Sequence, residues 1–389
     1  MSTKITFSTS SEYDYDTLQK KYNNFMVPAF EVKVGGKNIQ QGSSYISQLE
    51  IVIPVTVASE MRSIEMSECN FTISGIFDMK NSSFKSDVLD NLKTGTKVEV
   101  AGGYGSSLTV LFVGLLQHVR VSYGEGGVNI QVSAYDSTIL LRNARKFALY
   151  ENEDKNALIK KILQGCAKDG LATISDSNIG NFGGEKVRLE QAGLDDCEFI
   201  TTLARRERFS FAIIHGQVVL KNLVDEQKAI MKLTYGKNIF SFDIELDTTK
   251  QVGKVVARSI HDVNRTGVEG SASSVSIKKS GGKAAIDFSS LKSKISSNVI
   301  EYKDPLENTK EGLDKIAQAV MDERAMTFVS GHGMCIGLPE LVPGRYIELD
   351  GMGKQINGTY FITKVTHRFG QDGFTTQFDV KGAYSKWES

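Results

Sequence analysis

Apolar and polar residues alternate through much of the first third of the chain. In the segment SECNFTIS, the apolar residues Cys69, Phe71 and Ile73 stand at every second position, which is the spacing of a strand with one buried face. Similar segments follow, separated by glycine-rich turns, as in an antiparallel barrel or sandwich. We therefore predict a first β-barrel over residues 25–148, after a polar leader at residues 1–24.

The spacing of apolar residues changes near residue 150. The segment NALIKKIL places them three and four positions apart, as on one face of an amphipathic helix. A second helix with this spacing, CEFITTLARR, precedes a strand pair that turns at His215-Gly216. Together these segments predict a small α+β domain over residues 149–232.

Strand-like segments return after this domain. NIFSFDIELD and VGKVVARSIHD come first, and the last strands run from HGMCIGLP to FDVKGAY. They predict a second β-barrel made from residues 233–265 and 299–385. This barrel includes a helix at 305–326, with Asp304 as its cap and Pro305 at its first position.

Residues 266–298 are rich in Ser, Gly and Lys and have no sustained apolar period. This composition indicates a mobile loop or insertion. The lysines of the segment either face solvent or contact a polyanion, and the solvated loop is the simpler of the two alternatives. Residues 386–389 are predicted to form a short C-terminal tail.

The end of the chain repeats the pattern of the first barrel. An alignment without a gap, at a spacing of 367 − 118 = 249 residues, places Gly95 on Gly344 and His118 on His367. Only the final strand alternates out of phase, which requires a bulge or a loop of different length. We interpret the match as a duplication in which these four residues are repeated structural positions. The two histidines are then structural, and neither is catalytic or metal-binding.

Composition excludes several classes of function. Lys+Arg and Asp+Glu are equal at 46 each, so no overall field attracts nucleic acid or an anionic membrane. The longest apolar run, residues 108–116, is about half of a membrane span. The polar N-terminus does not have the pattern of a signal peptide. We expect synthesis in the cytosol, no specific nucleic-acid binding and no stable membrane insertion.

The residues that carry chemistry are scattered. Four cysteines have no CxxC spacing and five histidines form no ligand set, so we predict buried thiols and no metal site. The only close pair of such residues, His332 and Cys335, is a weak metal motif. The glycine-rich segments lack the phosphate-binding spacing, and no nucleophile motif is present. We expect no catalytic residue, no cofactor and no enzymatic activity, although no pattern excludes a pair of carboxylates.

Three segments resemble motifs of the phage late control D family. They are GYGSSLTVLFVGLL, GLDDCEFITTLARRERFSFAIIHGQVVL and GLPELVPGRYIELDGMGKQINGTYFITKVTHRFGQDGFTTQFDV. The similarity covers roughly residues 25–385 and preserves the order of the domains. This family includes the central baseplate hub proteins of contractile phage tails, R-type bacteriocins and extracellular injection systems, and the hub portion of VgrG.

The resemblance implies a mainly β fold, in which two similar antiparallel tube-like β-barrels accompany a small α+β domain. It also implies a homotrimer, because three pairs of barrels match a sixfold inner tube while the other face keeps threefold symmetry for a spike. The implied partners are an inner tube or tube-initiator protein, a spike protein and the baseplate wedge components. VgrG-type chains continue into a spike, whereas this sequence ends at Ser389, so we expect a separate spike protein. Trp387, the only tryptophan, is a candidate contact to that spike.

Two other functions remain open at this stage. The protein is alternatively a tail-associated peptidoglycan hydrolase or the hub of a non-contractile phage tail. The sequence does not distinguish a phage from a bacteriocin or a toxin-delivery system. For all of these particles we expect assembly in the bacterial cytoplasm, followed by residence in a tail-like particle.

Overall fold

The structure is a computed structural model, and it describes residues 3–40, 45–57, 64–84, 88–125, 127–142, 144–183, 186–260, 266–279, 281–303, 307 and 309–387. The strands of the first half are β1 Pro28–Val34, β2 Lys37–Asn38, β3 Tyr45–Pro54, β4 Glu68–Ser74, β5 Phe77–Asp78, β6 Ser83–Phe84, β7 Lys97–Tyr104, β8 Ser107–Gly124, β9 Gly127–Tyr135, β10 Lys146–Asp154, β11 Thr173–Ile179 and β12 Lys186–Leu194. Those of the second half are β13 Ser210–Ile214, β14 Gln217–Lys221, β15 Ala229–Thr234, β16 Ile239–Leu246, β17 Lys254–Ile260, β18 Gly267–Ala272, β19 Val299–Lys303, β20 Val329–Ile336, β21 Tyr346–Asp350, β22 Gly358–Gly370 and β23 Gly373–Gly382.

The α-helices of the described residues are α1 Tyr15–Lys21, α2 Val88–Asn91, α3 Lys155–Leu163, α4 Asp196–Arg206, α5 Ser289–Ile295 and α6 Lys310–Met326. None of these helices is long and apolar enough to cross a membrane.

One large sheet connects the two barrels. Its strands follow the order β16-β20-β23-β22-β3-β4-β9-β8-β7-β1-β2, and β21 connects β22 to β15. The first barrel contains β1, β3, β4 and β7 to β9, and the second contains β15, β16 and β20 to β23. Buried apolar residues of both barrels belong to one continuous core. The mainly β fold with two similar barrels and a small α+β domain, predicted above, is confirmed.

The α+β domain lies between the two barrels in the chain. Helices α3 and α4 pack with the β10-β12 pair and the three-stranded β11-β14-β13 sheet around a separate core. Asp195 and Glu198 form a reciprocal capping box that satisfies backbone N–H groups at the start of α4. Strands β13 and β14 join at His215 and Gly216, where φ is 50° and 73°. Positive φ at both positions is typical of a type I′ hairpin turn, and the turn lies where the sequence predicted it.

A small unit interrupts the second barrel. Strands β17, β18 and β19 form their own sheet, and α6 covers it with a core that includes Val255, Leu313 and Val320. The prediction that residues 233–265 and 299–385 together form the second barrel is therefore wrong for β17, β19 and α6. Alternation along a strand indicates that one face is buried, but it does not indicate which sheet the strand joins.

The Ser/Gly/Lys-rich segment 266–298 contains a strand and a helix, although residues 273–279 and 281–284 are irregular. Strand β18 pairs with β17, helix α5 follows, and Ile277 and Phe288 are buried. A Cβ atom at Gly270 would lie 2.3 Å from the backbone nitrogen of Asp314 in α6. The glycine therefore allows a strand and a helix to approach closely. Glycine and serine allow close packing as readily as flexibility, which is why the loop prediction is wrong for β18 and α5.

Helix α6 begins later than predicted. The predicted cap and first helical residue, Asp304 and Pro305, lie outside the described residues. In the described helix, Thr309 is the cap, and its side chain accepts a hydrogen bond from the N–H of Gly312. The carboxylate of Glu307 accepts hydrogen bonds from Thr309 and so supports this cap.

The polar leader forms part of the fold. The N–H of Thr3 donates to the carbonyl oxygen of Leu108 at 2.7 Å. Further along, the amide of Gln217 accepts from the N–H of Phe7 at 3.0 Å and donates to the carbonyl oxygen of Ile5 at 2.6 Å. These bonds attach the leader to the first barrel and to the α+β domain.

Candidate functional site

The two barrels contain hairpins with the same register. In β8 one residue bulges at Gln117, seven positions before Gly124, where the hairpin with β9 closes. In β22 the bulge is Thr363, again seven positions before the closing Gly370. Gln117 therefore corresponds to Thr363, and the two closing glycines correspond to each other with no insertion between bulge and turn. This agreement establishes the duplication as a property of the structure.

The preceding strands β7 and β21 keep the offset of the gap-free alignment. Gly95 and Gly344 both have positive φ, at 81° and 76°. The N–H of Gly95 donates to the carbonyl oxygen of Leu116, and that of Gly344 donates to the carbonyl oxygen of Ile362. Both acceptors directly precede the bulge of their strand, so the segment from Gly344 to its acceptor is three residues shorter than the segment from Gly95 to its acceptor. The gap-free alignment therefore holds for the two glycines but fails for the bulges and the residues that follow them.

The predicted equivalence of His118 and His367 is wrong for this reason. His118 corresponds to Lys364, and His367 corresponds to Val121. An offset of three positions is odd, so it exchanges the two faces of a strand. His118 is exposed and its ring packs edge-on against Tyr135, whereas His367 is fully buried. With this corrected offset, the apolar residues of β9 and β23 also alternate in the same phase, which they do not in the gap-free alignment.

A direct junction joins the two barrels. The second half of β22 pairs antiparallel with β3, from Lys364 opposite Pro54 to Phe369 opposite Leu49. On one face of this junction, the side chains of six residues are buried: Leu49, Ile51, Ile53, Val365, His367 and Phe369. On the other face, the guanidinium of Arg368 forms a salt bridge with Glu50. The junction is thus apolar on the core side and charge-paired on the opposite side.

The strands around the junction also repeat. Pairing of β3 with β4 skips Ser47, and pairing of β16 with β20 skips Phe240 at the corresponding place. Five strands of the first barrel (β3, β4, β7, β8 and β9) therefore match five of the second (β16, β20, β21, β22 and β23). The strand next to β7 breaks the repeat, because β1 is antiparallel to β7 while β15 is parallel to β21.

Two strand edges remain open among the described residues. Pairing of β7 with β8 ends at Leu115, so one side of β8 beyond this residue has no partner strand. The outer side of β16 also has no partner strand. Because β8 corresponds to β22 and β16 corresponds to β3, these two open edges correspond to the edges that pair in the junction of β22 with β3. Sequence reasoning missed them because an open strand alternates in the same way as a paired one.

Two histidines are buried near the junction. Burial lowers the pKa of His215 to about 4. Burial, together with the repulsion of a charge on His215, lowers the pKa of His367 to about 3. Nδ1 of His367 lies 3.0 Å from the hydroxyl of Thr376, and Nε2 of each ring has no hydrogen-bond partner among the described residues. Both imidazoles are therefore neutral parts of the core at pH 7.

A buried arginine attaches the leader to the second barrel. Arg345 is only 1% exposed, and its guanidinium donates to the carbonyl oxygens of Ser8, Ser11 and Lys228. Burial lowers its pKa to about 10, so it stays charged at pH 7. Its three acceptors are all backbone oxygens, which makes it a structural clamp.

The described residues contain no cluster of three or more His, Cys, Asp and Glu side chains that could hold a metal ion. All four cysteines are buried and free, as predicted, and burial raises the pKa of each thiol. His332 contacts Asp379 at 2.6 Å, and Lys364 contacts the same carboxylate, on the exposed face of the second barrel. Cys335 is buried, so it does not join His332 there.

The C-terminal tail leaves Trp387 accessible. Its side chain is 57% exposed, and its N–H donates to the hydroxyl of Ser385 at 3.1 Å. Lys386 donates to the carbonyl oxygen of Asn357. The tail is therefore attached to the second barrel through the Lys386 side chain, while most of Trp387 faces solvent.

Comparison with known proteins agrees with this architecture. A family model described as the Alg8 N-terminal domain matches residues 26–371. No curated protein matches the sequence. The 43 kDa tail protein of prophage MuSo2 from Shewanella oneidensis has a TM-score of 0.67 at 14% identity, over 92% of this chain and 98% of that one.

Two further solved structures have the same fold. The tail protein from Neisseria meningitidis MC58 has a TM-score of 0.65 at 12% identity, over 91% of this chain and 96% of that one. A component of the E. coli type VI secretion system, itself similar to T4 tail proteins, has a TM-score of 0.53 at 14% identity, over 91% of this chain and 78% of that one. The resemblance noted in the sequence is thus confirmed as a likeness of fold to tail proteins.

Proposed function

We propose that this chain, which belongs to the family described as the Alg8 N-terminal domain, is the central baseplate hub of a contractile tail-like machine. Its role is structural. A homotrimer of the chain joins the sixfold inner tube, or a tube-initiator protein, to a threefold spike, and baseplate wedge components surround it. The proposed site of action is a tail-like particle that assembles in the bacterial cytoplasm.

The observation that carries this proposal is the junction between β22 and β3. It places two copies of the same strand arrangement side by side in one continuous sheet. Three chains arranged around a threefold axis then present six similar units, which is the number that a sixfold tube requires. The spike side keeps threefold symmetry, because the α+β domain is present once per chain.

The number of chains in a particle tests the hub role. We expect three copies in tail-like particles purified from the producing bacterium, measured by quantitative mass spectrometry against the spike or by a reconstruction of the hub layer. The isolated chain is not a substitute for this measurement, because an assembly held by neighbouring components can dissociate when purified alone. A count of one or six copies per particle would refute the trimeric hub.

Trp387 is proposed as a contact to the spike. An exposed aromatic side chain next to an anchored residue can bury a large area at little entropic cost. We expect Trp387→Ala to lower the amount of spike that co-purifies with the hub while the hub itself remains folded. Phe147 is a matched control because its ring is also exposed, and Phe147→Ala should leave spike recovery unchanged. Equal recovery with both variants would contradict the contact.

A further inference from the structure

We propose that the open half of β8 pairs with the open edge of β16 in a neighbouring copy of the same chain. The register is antiparallel, from His118 opposite Asp247 to Tyr123 opposite Phe242. The neighbouring copies are those of the hub trimer, so this inference rests on the proposed function. It names the residues by which one copy recognises the next.

The register follows from the internal junction, in which Lys364 of β22 lies opposite Pro54 of β3. Lys364 directly follows the bulge of β22, and His118 directly follows that of β8. In β3, Pro54 comes seven positions after Ser47, the residue that the pairing with β4 skips. In β16, Asp247 comes seven positions after Phe240, the residue that the pairing with β20 skips. His118 therefore maps opposite Asp247. Each further pair follows by one step forward on β8 and one step back on β16.

The apolar residues at the two edges complement one another. The mapped register places three apolar pairs on the face that is buried in the internal junction. These pairs are Val119 with Leu246, Val121 with Ile244, and Tyr123 with Phe242. In the single chain the six side chains are exposed or only half buried, and the ring of Tyr123 is 68% exposed. Pairing would complete their burial and would also cover an open edge that otherwise promotes aggregation.

The charged residues are complementary as well. Arg120 maps opposite Glu245, an ion pair of the same kind as Arg368 with Glu50, which lies two positions further along the internal junction. Opposite charges across a strand pair favour association, and like charges disfavour it. A register shifted by one residue would lose both this charge pair and the apolar pairs.

The geometry favours a closed ring over a two-fold dimer. From β16 to β8 the sheet of one chain contains eight strands, in the order β16-β20-β23-β22-β3-β4-β9-β8. The two open edges lie at its opposite ends and are different from each other. Such an interface is head-to-tail, so it propagates around a ring until the last edge meets the first.

Disulfide cross-linking tests the register. In particles that carry Ser122→Cys together with Asp243→Cys, the new thiols lie directly opposite each other, within the range of a disulfide. We expect oxidation to link chains covalently up to a species of three. Ser122→Cys with Asp247→Cys is the control, because the thiols are then offset by four positions, about 13 Å along the strand. All native cysteines are buried, so they should not contribute cross-links.

The outcomes of this experiment separate the two proposals. Three copies per particle without cross-links from the first variant, or equal cross-linking in the control, would overturn the edge pairing and leave the hub role standing. Cross-linked species that end at a number other than three would support the pairing and overturn the trimeric hub.

A charge exchange provides a second measurement. Arg120→Glu and Glu245→Arg each place like charges opposite one another, once at every interface of the ring. We expect either change alone to lower the yield of assembled hub by about tenfold, and the two together to restore it. A general loss of folding would not be repaired by the second substitution. Failure of the double variant to recover would count against the pairing.

Discussion

Acidification from about pH 7.5 to about pH 4.5 should lower the free energy of unfolding by on the order of 5 kcal/mol, through two buried histidines. The pKa of His215 is lowered to about 4 and that of His367 to about 3, from an ordinary value of 6.5. Between pH 6.5 and these values the unfolded chain takes up protons that the folded chain does not. Stability is therefore greatest above pH 6.5 and falls as the pH decreases through this window.

Substitution of one histidine isolates this effect. His367→Gln should cost about 1 kcal/mol at pH 7.5, the value of one hydrogen bond, and should remove roughly half of the acid-dependent loss. Other groups that titrate in the same window are present in both proteins, so their contributions cancel in the comparison. Urea unfolding at pH 7.5, 6.0 and 4.5 measures the difference.

His118 offers the matched control, because its imidazole is exposed. His118→Gln should retain the full acid-dependent loss of stability of the natural protein. If His367→Gln retains it as well, the buried imidazole is not the source of the acid sensitivity.

Local structure in this protein could be predicted from the sequence because its causes are local. The alternation of Cys69, Phe71 and Ile73 produced β4, and the apolar spacing before the His215-Gly216 turn produced α4 and its hairpin. These patterns depend on residues within a few positions of one another. Gly95 and Gly344 have a local cause as well, because each stands where the backbone of its barrel has a positive φ.

Long-range pairing could not be predicted in this way. The junction brings Arg368 to Glu50, 318 residues away in the chain, and nothing in either strand specifies its partner. A hairpin segment that is three residues shorter in the second barrel was enough to misalign His118 with His367, because glycine-rich strands tolerate several alignments equally well. The open edges depend in turn on that junction, so they became recognisable only when the strand order was known.

Replacement of the buried clamp should produce the second large loss of stability. Arg345→Met keeps most of the length of the side chain but removes every donor to the carbonyl oxygens of Ser8, Ser11 and Lys228. Hydrogen bonds from a charged group contribute about 1.5–3 kcal/mol each, so the loss of three partly buried ones should cost roughly 3 kcal/mol or more in urea unfolding. The leader should also detach locally, which hydrogen exchange of residues 4–12 would detect.

An exposed arginine provides the comparison for this clamp. Arg258 contacts Glu269 and Glu301 on the surface of the small unit and is about half exposed. Surface ion pairs contribute about 0–1 kcal/mol each, so Arg258→Met should cost far less than Arg345→Met and should leave exchange in the leader unchanged. Equal losses in the two variants would mean that charge removal in general, and not the three unpaired carbonyl oxygens, determines the effect. A large loss confined to Arg345→Met would instead assign to this residue the attachment of the leader, which spans the first barrel, the α+β domain and the second barrel.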